Sequence, residues 1–82
     1  MSRKEKLLAR FLSKPTDFTW EELTSLLTNL GYRVSQGNGA RVRFMDDDRN
    51  KILLHRPHPG NIVKEYVLDD VRNKLMEHGK HG

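Results

Sequence analysis

"GYRVSQGNGARVRF", residues Gly31 to Phe44, is where the chain changes its period. Ahead of it, Leu23, Leu26, Leu27 and Leu30 recur at the three-to-four spacing of a helix face. From Tyr32 the pattern alternates. Tyr32 and Val34 face one way, and Arg33 and Ser35 the other. After "GNG" at Gly37 to Gly39, Ala40, Val42 and Phe44 are expected to point to a core, with Arg41 and Arg43 on the opposite face. Two alternating runs joined by Gly-Asn-Gly predict a tight β-hairpin.

Outward from the hairpin, each flank carries its own punctuation. Thr19 followed three residues later by Glu22 is a capping box, so a helix starts there. Phe18 and Leu23 bracket that start at the spacing of a hydrophobic staple, and Trp20 is placed near the edge of the buried stripe. Gly31 ends the helix in the left-handed position that closes many helices. Earlier still, Leu7, Leu8, Phe11 and Leu12 make a stripe on a helix over 2–12, and Pro15 marks a turn. On the other side, "DDDRN" is a polar loop and "KILLHR", Lys51 to Arg56, a third strand. Pro57 and Pro59 stop it. A last helix over 65–78 carries Leu68, Val71 and Leu75 inward, and Gly79 stops it. The expected fold is α+β: a three-stranded antiparallel sheet near 32–36, 40–45 and 51–56, with helices packed on one face and an extra N-terminal helix. Residues 1–82 read as one domain, with 1–15 as helix and turn and 18–79 as its core. The expected core is Leu26, Leu30, Val42, Phe44, Leu68, Val71 and Leu75.

Composition limits the chemistry. Without cysteine there is no disulfide, thiolate metal site or cysteine nucleophile. A small secreted domain usually depends on such cross-links, so a cytoplasmic location is expected. The first residues lack the apolar run of a signal peptide, and no later run suits a membrane span. The net charge of +4 suits an anionic partner, with nucleic acid first.

The stretch "HRPHPG", His55 to Gly60, raises the sharpest question of site chemistry. His55 and His58 alone are too few ligands for zinc, and the aspartates at 46–48 read as a solvated turn, so no metal and no cofactor is expected. His78 and His81 fall in a terminal stretch with no assigned role. "GNGAR" has neither the Rossmann nor the Walker spacing; it is a turn whose glycines could also let a backbone approach a ligand. Arg33, Arg41, Arg43, Arg56 and His55 are expected to converge through two adjacent hairpins. Guanidinium groups grip phosphate oxygens in pairs, and a histidine among them can move a proton. That set suits an RNA phosphodiester, although exposed strand faces are commonly polar without any ligand.

Three stretches in this order, "LTNLGYRVSQGNGARVRF", "LLHRPHPG" and "EYVLDDVRNKL", resemble the HicA toxins of bacterial toxin–antitoxin pairs, from about Trp20 to Leu75. The resemblance implies a fold like the double-stranded-RNA-binding domain, ribonuclease action on messenger RNA without a metal, and inhibition by a HicB antitoxin. It also implies a catalytic histidine soon after the hairpin glycine. Here Arg41 stands in that place. Arginine stays protonated and cannot act as a general base, though it can stabilise developing charge. Catalysis would then rest on Arg41 with His55 or His58, and RNA binding on Arg33, Gly37, Asn38, Gly39, Arg43 and Arg56. The alternatives are a non-catalytic RNA-binding module or a protein-interaction domain that meets an acidic partner.

Overall fold

The computed structural model describes residues 3–58 and 60–79. Three helices and three strands follow in the order α1 (Arg3–Leu12), α2 (Trp20–Asn29), β1 (Arg33–Gln36), β2 (Arg41–Met45), β3 (Lys51–His55) and α3 (Glu65–Glu77). The sheet is antiparallel and ordered β1-β2-β3, which makes this an α+β fold with β2 in the centre.

α2 begins and ends by local chemistry. The Thr19 hydroxyl accepts the Glu22 amide at 3.1 Å, and the Glu22 carboxylate accepts the Thr19 amide at 3.1 Å. At the other end Tyr32 donates to the Leu27 carbonyl at 3.0 Å and Gly31 to the Thr28 carbonyl at 3.1 Å. Those two bonds are a Schellman closure, and they need the left-handed φ of 101° that Gly31 adopts. The closure turns the chain out of the helix and into β1.

The sheet turns one face inward. Val42, Phe44, Ile52 and Leu54 are buried in one cluster with Phe18, Leu23, Leu26, Leu27, Val63, Leu68, Val71 and Leu75. Phe11 of α1 joins it against Phe18, ring centroids 5.8 Å apart. Trp20 is buried rather than at the edge, its indole edge-on to Phe44 at 6.0 Å. Two residues expected in the core are not fully in it. Leu30 is half-buried because it is the C-cap, where the chain already leaves the helix. Ala40 is exposed because it belongs to the turn; its carbonyl instead accepts the Arg56 amide at 2.8 Å.

The polar loop between β2 and β3 is not wholly solvated. Asp46 is only 6% exposed, and it accepts the amides of Asp48 and Asn50 at 3.0 and 2.8 Å and the Asn50 side chain at 2.9 Å. A buried carboxylate held by three donors shapes the turn rather than being free. His78 is likewise not a loose tail residue. It caps α3, and its Nδ1 lies 2.6 Å from the hydroxyl of Tyr32. His81 and Pro59 lie outside the described residues.

Candidate functional site

Among the described residues one face of the sheet carries no helix, and the pairing register arranges it in three rows. Arg33, Met45 and Lys51 form the first row, Ser35, Arg43 and Leu53 the second, and Arg41 with His55 the third. Gly37 extends the third row, its amide donating to the Arg41 carbonyl at 2.9 Å. Arg41 therefore stands between Gly37 and His55. Directly opposed residues hold their Cβ atoms about 4.5–5.5 Å apart, so the arginine and the imidazole are neighbours on one surface. On its other side, a Cβ at Gly37 would come within 3.3 Å of the Arg41 Cβ, and glycine keeps that space open. Ser35, Gly37, Arg41, Arg43, Leu53 and His55 line a hollow of about 430 Å³ there.

Arg33 does not join this group. Its row lies two rows from Arg41, about 13 Å at the usual rise per strand residue. It also pairs with Asp47 at the exposed end of the sheet. By contrast, Arg41, Arg43, His55 and Arg56 are exposed and make no side-chain hydrogen bond or ion pair among the described residues. Asn38 and Gly39 form the tip of the turn, where the Asn38 carbonyl accepts the Arg41 amide at 3.3 Å and Gly39 has φ of 64°.

The chain leaving β3 turns a corner and is then pinned. Trp20 donates to the Asn61 carbonyl at 2.7 Å, and Val63 donates to the Phe18 carbonyl at 2.8 Å. Between the outer edge of β3 and the first turn of α3 this leaves a groove of about 540 Å³. His55, Arg56 and His58 line it together with Leu53, Lys64 and Tyr66. His58 thus sits in the groove beside the strand edge, whereas His55 borders both the groove and the sheet-face hollow. Lys64 and Tyr66 were not apparent from the sequence. The one signal available was that Tyr66 falls off the Leu68, Val71, Leu75 stripe and so is an aromatic with no place in the core. Among the described residues no group of three His, Cys, Asp or Glu side chains is placed to hold a metal ion. No helix among them is long and apolar enough to cross a membrane.

A small α+β protein with a basic, uncovered sheet face is thereby defined. The family model of the HicA toxin of bacterial toxin–antitoxin matches residues 20–76, from the first residue of α2 almost to the end of α3. The match covers well over half of the chain, and the protein belongs to the HicA toxin family. Members of that family are toxins of toxin–antitoxin systems and in general mRNA interferases. No curated protein and no solved structure matches the chain.

Proposed function

We propose that this chain cleaves messenger RNA as the toxin of its pair, without a metal, and is held inactive by a HicB-type antitoxin. Messenger RNA as the target implies action in the cytoplasm. The observation that carries the reading is the cross-strand pair of Arg41 and His55 on the exposed face. Arg41 replaces the histidine expected soon after the hairpin glycine, and an imidazole returns to the same spot from the next strand.

In this reading Arg41 and Arg43 hold the oxygens of the scissile phosphate, with Arg56 on a neighbouring one. The turn at Gly37, Asn38 and Gly39 lets the RNA backbone come close. Arg33, far along the face and paired, contributes only to an RNA that spans all three rows. His55 takes the proton from a ribose 2′-hydroxyl. The 2′-oxygen bonds to phosphorus, the bond from phosphorus to the 5′-oxygen breaks, and that oxygen leaves with a proton from solvent. Arg41 offsets the charge that builds on the phosphoryl oxygens. DNA lacks the attacking hydroxyl and is spared. His55 is favoured over His58 because strand register fixes it beside Arg41.

The presence of Arg41 also supports a second reading, in which the face binds RNA but does not cut it. Single-turnover cleavage of a short RNA separates the two. The parent should cleave with chelator present, and His55→Ala should lose about 10²–10⁴-fold in rate with RNA binding retained, the range for removing a general base. An acid limb in the pH–rate profile should disappear in that variant. Loss in His58→Ala alone would move the base to the corner. Binding with no cleavage by the parent would establish the second reading.

A further inference from the structure

The groove between β3 and α3 is built differently from the sheet face. Tyr66 is 69% exposed and Leu53 71%, both large apolar groups left in water. Ile62 joins them at 45%. Around them stand Arg56, Lys64, His55 and His58, with Asp70 the one carboxylate lining the groove among the described residues. Neither Arg56 nor Lys64 has a side-chain partner among the described residues. The helix does not need Tyr66 for packing, since its buried residues are Leu68, Val71 and Leu75.

We infer that Tyr66 is the stacking platform of a second RNA subsite, which receives an unpaired base next to the cleaved phosphodiester. The inference rests on the reading that this chain acts on RNA. An aromatic ring open to solvent and flanked by cations is the arrangement that holds single strands, because the ring takes the base and the cations take the phosphates. The groove adjoins the sheet-face hollow, since Leu53, Leu54 and His55 line both. A strand held at Arg41 and His55 can therefore pass over the edge of β3, with Arg56 and Lys64 on its phosphates, and place its next bases over Leu53 and Tyr66. A duplex cannot follow, because its bases are already stacked and paired. The subsite would thus select unpaired RNA, a choice that the arginines alone cannot make.

The test compares the parent with Tyr66→Ala and Tyr66→Phe, using a labelled unpaired RNA octamer and a duplex of equal length. Tyr66→Ala should weaken octamer binding by about 5- to 160-fold, the range for losing one base–aromatic stack. Tyr66→Phe keeps the ring and should restore it. Duplex binding should be weaker in the parent and unchanged by either substitution. In Tyr66→Trp, the exposed indole should be quenched by the octamer and not by the duplex, against a constant signal from buried Trp20. Equal octamer affinity in Tyr66→Ala and the parent would overturn the subsite while leaving the RNA reading intact. So would a loss confined to binding of the antitoxin, which would assign the groove to a protein partner. A parent that binds no RNA even at low salt would remove both readings.

Discussion

Tyr32 shows what one side chain does for this fold. It is 2% exposed, directly after the glycine that closes α2, and its hydroxyl meets His78 at the end of α3. Burial, with Asp46 nearby adding to it, pushes the phenol up to about 12. A raised acid means that the folded state holds the proton more tightly than the unfolded one. Stability from this group is present in full below the ordinary tyrosine value of about 10 and is lost as pH rises from there through about 12. In Tyr66→Phe, where Tyr32 is the one tyrosine left, the ultraviolet absorbance of phenolate should appear near pH 12 or only with unfolding. Tyr32→Phe should cost about 1 kcal/mol, the net worth of a hydrogen bond, and His78→Ala should add little on top of it. Independent, additive losses in thermal melts would mean that the two groups do not act as a pair.

At the scale of elements, α2 brings Trp20, Leu23, Leu26 and Leu27 into the core. Its start is held by more than the capping box. Arg10 of α1 donates through Nε to the Glu22 carboxylate at 2.7 Å and through Nη2 to Asp17 at 3.0 Å, while its guanidinium lies 5.6 Å from the Phe18 ring centre. The bond from Arg10 holds the Glu22 carboxyl below the usual range, and the cap bonds act in the same direction. A lowered carboxyl contributes stability above its unfolded value and loses it as pH falls toward the folded one. Acid melts of the parent should therefore steepen below about pH 4.5, and Glu22→Gln should flatten that limb. Thr19→Ala should cost about 1 kcal/mol through the cap. Leu27→Ala, at a fully buried position, should cost about 2–5 kcal/mol. A Leu27→Ala loss below that range would mean that α2 can collapse onto the cavity.

The whole molecule separates stability from charge. Every buried strand residue lies on the helix side of the sheet, and the cations of Arg41 and Arg43 lie on the other. The two functions can then be altered one at a time. Arg41→Ala and Arg43→Ala should each weaken RNA binding and reduce its salt slope by about 0.7, the release expected for one phosphate contact on a single strand. Melting temperature should hold in both, since neither side chain enters the core. A collapse of melting temperature in either variant would make these arginines structural and remove them from the site.

Local chemistry was legible in the order of residues, and relations between distant residues were not. The capping box, the Schellman glycine, the Gly-Asn-Gly hairpin and the alternation of "RVRF" each depend on neighbours within about five positions, so the sequence alone determined them, and with them the order of elements and the class of fold. The errors fell where a partner comes from far along the chain. His78 looked idle because Tyr32 is 46 residues away, and the pairing of Arg33 with Asp47 reaches across the hairpin. The basic residues of the site could be named from the sequence, but a one-residue change of register would have put Arg41 and His55 on opposite faces. Only the tertiary structure decided that they stand side by side, because strand register is fixed by burying Val42, Phe44, Ile52 and Leu54 together against the helices. The groove at Tyr66 was hidden for the same reason: it exists only where the end of β3 and the start of α3 are held apart by the pinned segment at Asn61 and Val63.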